Sequence, residues 1–297
     1  MSEPRAPSCR HASVAIALVA ALAATAGAQE REVQKHLFSS SEGKLLGFYS
    51  AALAFTAGAP SLGKGRWRME VGLEAAYVPH LNREQRTAGS DKPQSSNLAP
   101  ALPRPRLAFS LPWQVRAEAS WLPPLRVFDV EANLISLALS RPIGDFAGVQ
   151  LVPRIAATAG RIEGAITCNE DLTRGTSDEQ VYYTAVCFGR ESRDHFEPRH
   201  LSLELLGSRP MMHGRLVPFA TAGVRREWLR FDIGVIRHDG TRDPDHPILT
   251  MEATRPFATA GLQWRPGPRL GTGVEVVVAP GSLVTARVLA SFLFPTP

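Results

Sequence analysis

The sequence predicts an all-β fold, a closed antiparallel transmembrane β-barrel of about ten strands with a short N-terminal helix; twelve or eight strands are the alternatives. Three observations predict this fold. Residues 67–77 alternate between an apolar face, aromatic at Trp67 and Tyr77, and a charged face, as a lipid-facing strand does. About ten segments can form strands, and single-chain membrane barrels close with an even number. The long polar connectors all fall at one end of such a barrel, and the connectors at the other end are short.

The composition permits a membrane barrel without a long apolar run in the mature chain. The 297 residues are 44% hydrophobic and 21% charged, and only half of each barrel strand faces lipid. Residues 1–28 are predicted to be a cleaved secretory signal peptide, because the basic Arg5 and Arg10 precede an apolar stretch that ends at Ala26-Gly27-Ala28. The net charge is +5, but the arginines are spread singly, which argues against nucleic-acid binding.

Residues 29–64 are predicted to form an N-terminal segment that precedes the barrel. Apolar residues recur at helical spacing over 44–58. This stretch is therefore predicted to be a plug helix in or under the barrel, where it would close the end with the short turns. An extra strand is the alternative. Ala59-Pro60 and the glycines at 63 and 65 then break the chain.

The barrel is predicted to span residues 65–294. Its strands, in chain order, are 65–79, 106–111, 115–122, 127–139, 149–166, 200–207, 216–235, 251–265, 271–279 and 283–294. This assignment leaves long external loops at 80–105, 167–199 and 236–250. In the fourth strand, Phe128 and Val130 are predicted to face lipid, and the alternation fails after Leu134, which suggests a bulge.

A short repeat recurs in three of these strands. Pro218-Phe219 leads into Ala-Thr-Ala-Gly at 220–223, Pro256-Phe257 leads into the same residues at 258–261, and Val152-Pro153 precedes them at 157–160. Prolines near strand starts suit strand entry better than a central ladder position. Coincidence in a chain rich in alanine and glycine is the alternative explanation.

The polar side chains of the alternating strands are predicted to face the lumen. They are Arg68, Glu70, Glu74, Arg116, Glu118, Asp129, Glu131, Arg154, Glu204, Arg225, Glu227, Gln263, Arg265, Glu275 and Arg287. Buried charges need partners, so one interpretation is a packed salt-bridge network that closes the barrel. The other is a narrow polar pore, in which the mixed charge would favour neither anions nor cations strongly.

The cysteines predict one disulfide. Cys9 lies in the proposed signal peptide, whereas Cys168 and Cys187 remain in an exported chain and are predicted to close an external loop. No metal site or cofactor is expected. The sequence from His238 to His246 holds two imidazoles and three carboxylates, which could serve as a general base or as metal ligands, but a solvated turn is the simpler interpretation.

The final strand carries a family resemblance. Val284, Ala286, Val288, Ala290, Phe292 and Phe294 alternate with Thr285, Arg287, Leu289, Ser291 and Leu293. Over 65–294 the chain resembles bacterial outer-membrane β-barrel proteins as a class. The resemblance implies location in the outer membrane of a Gram-negative-type bacterium, contact with its lipid, and insertion by the barrel assembly machinery, which reads the terminal aromatic residue. Pro295-Thr296-Pro297 after Phe294 departs from that pattern.

Several functions remain open for such a barrel. A structural barrel or a narrow passive channel for small solutes is expected, and an enzyme is not. The alternatives are a surface enzyme, an adhesion barrel that uses 167–199 with its Tyr182-Tyr183 pair, and a soluble lipid-binding barrel with its apolar face inward. Two aromatic belts favour the membrane: Trp67, Phe109, Trp264, Phe292 and Phe294 at one end, and Tyr77, Trp121 and Phe128 at the other.

Overall fold

The computed structural model describes residues 31–58, 68–86, 88, 94, 101–127, 130–173 and 186–294. The proposed signal peptide lies outside these residues. The same holds for Trp67, Phe128, Asp129, Tyr182-Tyr183 and Pro295-Thr296-Pro297.

Ten long strands form a closed ring in which every neighbouring pair is antiparallel. In chain order the strands are β1 (Val33–His36), β2 (Arg68–Tyr77), β3 (Ala101–Ser110), β4 (Arg116–Val127), β5 (Val130–Ser140), β6 (Gly144–Phe146), β7 (Val149–Gly164), β8 (Asp194–Ser208), β9 (Leu216–Asp232), β10 (Ile248–Trp264), β11 (Leu270–Ala279) and β12 (Leu283–Phe294). The helices are α1 (Ser41–Ala52), α2 (Arg83–Arg86) and α3 (Glu170–Thr173). The ring runs β2-β3-β4-β5-β7-β8-β9-β10-β11-β12 and closes where β12 pairs with β2. The short β1 and β6 pair with β10 and β7. The predicted ten-strand barrel is thereby confirmed.

The two ends of the barrel differ in their connectors. At the turn end, residues 111–115, 141–148, 209–215 and 265–269 join the strands. At the loop end, residues 78–100, 128–129, 165–193, 233–247 and 280–282 do so. Strands β3, β8 and β10 begin at Ala101, Asp194 and Ile248, so they reach into the stretches that the sequence assigned to loops.

The wall is taller on one side. Strands β7 to β10 have 15 to 17 residues, and the other six strands of the ring have 10 to 12. Strand β10 projects beyond β11 at the loop end, because its pairing with β11 begins only at Ala258. Strand β7 instead projects beyond β5 at the turn end, because Ser140, the last residue of β5, pairs with Arg154.

Large apolar side chains cover the outside of the barrel. Leu137 is 57% exposed, Leu203 57% and Val288 54%. Exposed aromatic residues lie at both ends, with Trp264, Phe292 and Phe294 at the turn end and Tyr77 at the loop end. Trp121, predicted for the loop-end belt, lies in the middle of β4 because this strand continues to Val127. A soluble lipid-binding barrel would turn its aliphatic residues inward, so this arrangement excludes that alternative. None of the described helices has the length and apolarity needed to cross a bilayer.

Strand β5 has the opposite orientation to the predicted one near its start. Its side chains alternate without a break: Val130, Ala132, Leu134, Ser136 and Ala138 are buried and the residues between them are exposed. Its register with β7 is also continuous from Val130 to Ser140, so there is no bulge within β5. Glu131 consequently lies on the outer face, which corrects its assignment to the lumen. The irregularity of this hairpin lies in β4, between Leu122 and Leu125.

Helix α1 lies inside the barrel. Ser40 caps its first turn, since its Oγ accepts a hydrogen bond of 3.1 Å from the Gly43 N–H. Leu46, Phe48 and Tyr49 are each no more than 2% exposed, and burial on all sides is expected of a helix without a polar face. The inner residues that surround it include Leu102, Val130, Leu134, Phe196, Leu229, Phe231 and Met251. These residues belong to the loop-end halves of their strands, so the helix fills the loop end and not the turn end.

The N-terminal segment runs from the loop end into the lumen. Strand β1 pairs in parallel with the first residues of β10, and Arg31 binds the Asp232 carboxylate beside it. Beyond α1, the chain from 53 to 58 is irregular rather than helical. Phe55 packs on Ala138 and Ala156, and Ala57 packs on Leu206 and Phe219, closer to the turn end.

Candidate functional site

Residues 41–58, the plug, are held by arginines from the barrel wall. Arg104 donates to the carbonyls of Leu53 and Ala54 at 2.6 and 3.2 Å. Arg287, on β12, donates to the same Ala54 carbonyl at 2.6 Å. These carbonyls follow directly after α1, and Arg287 also reaches the Ala51 carbonyl in its last turn at 3.4 Å, where helix carbonyls lack partners within the helix.

The same pattern continues deeper in the lumen. Arg106 donates to the carbonyls of Thr56 and Ala57 at 3.0 and 3.2 Å, and Arg154 reaches the Thr56 carbonyl at 3.3 Å. A guanidinium has five donors in a fixed plane, so each arginine can bind the plug and a carboxylate at once. The plug is therefore bound mainly through its backbone.

Phe55 lies within a group of three guanidinium ions. The Cζ atoms of Arg106, Arg154 and Arg104 lie 4.5, 4.9 and 5.9 Å from the centre of its ring. Cations within about 6 Å of an aromatic face are attracted by its quadrupole. The ring thus stabilises positive charges that have little contact with water.

Glutamates pair with the arginines around the lower part of the plug. Glu118 contacts Arg116 at 2.9 Å, Arg106 at 3.0 Å and Arg154 at 3.2 Å. Glu74 pairs with both Arg106 and Arg287. Removing charges from water is costly unless they are paired, and this alternation of signs around the lumen meets that requirement.

The inner wall has slightly more positive than negative groups. The inner face of the ring strands holds eight arginines, Arg68, Arg104, Arg106, Arg116, Arg154, Arg225, Arg255 and Arg287, against seven acidic residues, Glu70, Glu74, Glu118, Asp194, Glu204, Glu227 and Glu275. The plug carbonyls add partial negative charge where the arginines are in excess. The plug and the wall are thus electrostatically complementary.

Higher in the lumen, Glu227 joins the helix to the wall. It accepts a hydrogen bond of 2.7 Å from the Ser50 hydroxyl and bonds of 2.7 and 2.8 Å from Arg255. Arg255 also donates to the Gly47 carbonyl at 3.1 Å. This contact fixes the middle of α1 against β9 and β10.

Ser50 and His200 form a pair that superficially resembles a nucleophile and its base. The Ser50 Oγ lies 3.0 Å from His200 Nε2. In a hydrolase the carboxylate orients the histidine, but here Glu227 bonds to the serine. Among the described residues, His200 Nδ1 has no partner. Because Ser50 is fully buried, the pair ties the helix to the wall.

The structure places most of the polar residues selected from the sequence on the inner face. These are Arg68, Glu70, Glu74, Arg116, Glu118, Arg154, Glu204, Arg225, Glu227, Gln263, Arg265, Glu275 and Arg287. Glu131 lies outside and Asp129 is not described. Arg104, Arg106, His200 and Arg255 were missed. Arg255 is an even number of positions from Gln263, and His200 from Glu204, so the alternation of each strand already placed them on the same face as these predicted lumen residues.

Little open space lies beside the plug. One cavity, lined by Ala57, Glu118 and Arg116 among others, has a volume of about 20 Å³. A second of about 20 Å³ lies near Gln263 and Arg265 at the turn end. A single water needs about 10–15 Å³ of such volume, so each cavity has room for little more than one water.

Two connectors at the loop end are fixed by a disulfide and by hydrogen bonds. The Cys168 and Cys187 sulfurs are bonded, as predicted, and both residues are fully buried. Asp194 accepts hydrogen bonds from Ser192 Oγ at 2.6 Å and from the Gly234 N–H at 2.7 Å. These contacts join the disulfide loop to the next loop along the chain.

The loop with two histidines is held by an arginine. Arg237 pairs with Asp243 at 2.6 Å and with Asp245 at 2.9 Å. Thr241 donates its hydroxyl and its N–H to Asp239, which holds the pKa of that carboxyl below its usual value. Within the described ranges, no three His, Cys, Asp or Glu side chains are grouped as metal ligands.

The outer face is apolar and the inner face holds paired charges, which a lipid environment requires. This is the architecture of a bacterial outer-membrane β-barrel. No family model matches the chain, and no curated protein matches it either.

Solved structures with some similarity exist. Ail, the attachment invasion locus protein of Yersinia pestis, is 8% identical over 77% of this chain and 100% of its own, with a TM-score of 0.32. The translocator domain of the autotransporter NalP from Neisseria meningitidis is 9% identical over 86% and 94%, with a TM-score of 0.35. The toluene transporter TodX of Pseudomonas putida is 10% identical over 88% and 78%, with a TM-score of 0.31. At these values, the function has to be inferred from the residues of this chain.

Proposed function

We propose that the chain is an outer-membrane channel for small solutes that is closed at rest by residues 41–58. The observation that carries this proposal is the binding of the plug carbonyls by arginines of the wall. A segment held in this way occupies the lumen, which the ten strands would otherwise leave for solutes. The closed state corresponds to the packed barrel that was one interpretation of the sequence.

The chemistry of the plug suits a segment that can leave. Residues 45–58 contain no charged side chain, so displacing them separates no ion pair with the wall. The plug's Lys44 pairs with Glu84 of α2 at the loop end, outside the strands of the wall.

Most wall charges keep partners of opposite sign, as Glu118 does with Arg116 and Arg154. Arg104 and Glu275, whose described hydrogen bonds are to the plug, would be open to water instead. What remains is a lumen lined mostly by paired charges, which water can enter and which should discriminate little between anions and cations.

Conductance in planar bilayers tests the proposal. The mature chain should be mostly silent, and a chain that lacks residues 31–58 should show discrete openings with weak ion selectivity. A shift in gel mobility on heating serves as the control that the shortened chain has folded. If the mature chain conducts as strongly as the shortened one, the plug does not close the lumen. If the folded, shortened chain stays silent, the barrel is structural and not a channel.

Export and assembly belong to the same proposal. We expect cleavage between Ala28 and Gln29, which N-terminal sequencing of protein from outer membranes would reveal. We also expect insertion by the barrel assembly machinery through β12, where the rings of Phe292 and Phe294 lie 4.9 Å apart on the outer face. Depletion of that machinery should leave the protein out of the outer-membrane fraction.

A further inference from the structure

The outer surface is asymmetric near the loop end. On β8, β9 and β10, the outward residues there include Glu197, Arg199, Arg226, Arg230 and Glu252. On β11, β12, β2 and β3, the outward residues are uncharged along the whole strand. The outward charges near the loop end thus extend from Arg126 on β4 and Glu131 on β5 to β10, and are absent from β11, β12, β2 and β3.

The strand register places apolar and cationic residues side by side on this surface. Ala159, Arg199 and Trp228 are direct neighbours across β7, β8 and β9. On the other side of β7, Ile135 is the direct neighbour of Ala159. One step toward the loop end, Arg230 is the neighbour of Glu197. The outer surface therefore changes from apolar at Ile135 on β5 to cationic at Arg199 on β8 and Arg230 on β9.

A groove follows this boundary. Its volume is about 550 Å³, and its outward-facing lining comprises Ile135, Leu137, Ala157, Ala159, Arg199 and Trp228. The alanines of β7 form a low floor between larger side chains on β5 on one side and on β8 and β9 on the other. A hydrocarbon chain fits such a depression.

Arg199 lines the groove, and Arg230 lies next to it on β9, two residues beyond Trp228. Arg161 is bound by Glu197 at 3.0 Å, and Arg226 is bound by Glu252 at 3.1 Å. Arg199 and Arg230, by contrast, have no acidic partner among the residues that the structure describes, and both are exposed. Guanidinium groups bind phosphate oxygens strongly, so an anionic group is the ligand that this pair fits.

We infer that, in preference to a zwitterionic phospholipid, the groove binds an anionic one, with a net negative charge at its phosphate. Its acyl chain lies on Ala157 and Ala159 against Leu137, and its phosphate is bound by Arg199 and Arg230. Trp228 lies between the two parts, as aromatic residues do at membrane interfaces. This inference depends on the outer-membrane location and not on whether the lumen conducts.

Quenching of Trp228 fluorescence by brominated lipids tests the site. The full chain is placed in mixed micelles with phosphatidylglycerol or phosphatidylcholine, each with brominated acyl chains. The chain has five tryptophans, so subtraction of the Trp228→Phe signal isolates the response of Trp228. Phosphatidylglycerol should quench it at about tenfold lower mole fraction, since cationic side chains near anionic lipid each contribute on this scale.

The variant Arg199→Gln/Arg230→Gln should lose that preference. Arg209→Gln/Arg269→Gln, which changes two exposed arginines at the turn end, should keep it. Heat-modifiable gel mobility shows that each variant has folded. Equal quenching of the unmodified chain by both lipids would overturn the inference, and so would a preference that survives loss of Arg199 and Arg230.

Discussion

The ring of Phe219 on β9 lies over Gly261, the residue directly opposite it on β10. The reciprocal contact joins Phe257 on β10 to Gly223 on β9. The two contacts are related because both strands contain Pro-Phe-Ala-Thr-Ala-Gly, and the copies pair antiparallel about Thr221 and Thr259. The repeat is thus a self-complementary unit that supplies two aromatic rings to the lumen and the space for them.

Gly261→Ala should destabilise the barrel by about 1–3 kcal/mol, the usual range for overpacking. A Cβ at this position would lie 2.4 Å from the Phe219 ring and 2.5 Å from the Val274 carbonyl oxygen, so neither neighbour can simply rotate away. Gly207→Ala is the matched control, because its Cβ would meet nothing closer than 3.5 Å. Urea unfolding in micelles measures both, and equal midpoints would contradict the proposed role of the Phe–Gly contact.

Glu227→Gln should cost about 3–5 kcal/mol of unfolding free energy, the usual penalty for removing one partner of a buried ion pair. The carboxylate is fully buried, and its loss leaves Arg255 without an anionic partner among the described residues. Glu252→Gln is the control, since Glu252 pairs with Arg226 on the surface and exposed pairs contribute about 1 kcal/mol or less. A similar cost for the two variants would show that the lumen contact is solvated and weak.

The sequence predicted the ring because most strands alternate cleanly between lipid and lumen. The prediction failed where it assumed a polar lumen throughout. At the start of β5, Val130 and Ala132 face inward because they pack on the apolar helix α1, and their neighbour Glu131 is turned outward. The alternation was present, but only the position of the helix determines which of the two faces is the inner one.

Arg104 and Arg106 were missed for a different reason. Both alternate with Pro103 and Pro105 on β3. Because prolines within a segment argue against a strand interior, the predicted strand began only at residue 106, which left Arg104 out and placed Arg106 at its very start. The prolines face outward in this structure. The contacts to the plug carbonyls could not be predicted either. Every residue has a backbone carbonyl, so the sequence does not show which carbonyl an arginine will bind.

Replacing both Cys168 and Cys187 by serine should lower the unfolding free energy by about 3 kcal/mol through the entropy of the unfolded chain. The bond joins residues 19 positions apart in the sequence. The strands on either side, β7 and β8, pair without it, so the barrel should still form. Urea unfolding of the oxidised protein, the reduced protein and the variant provides the check. The latter two should agree, and a reduced protein as stable as the oxidised one would contradict the expectation.

Replacing Arg104 and Arg287 by methionine should loosen the plug more than the barrel. Both guanidiniums bind the Ala54 carbonyl, and Arg104 also binds that of Leu53. A hydrogen bond to a charged group contributes about 1.5–3 kcal/mol, so opening of the plug should become easier by about 3 kcal/mol, roughly a hundredfold in population. Hydrogen exchange of the amides in 41–58 reports that opening directly. The control Arg226→Met removes an arginine from the outer face and should leave these amides unchanged. If exchange in the plug rises no more in the double variant than in the control, the arginines do not hold it, and the closed state must depend on the apolar packing of α1 alone.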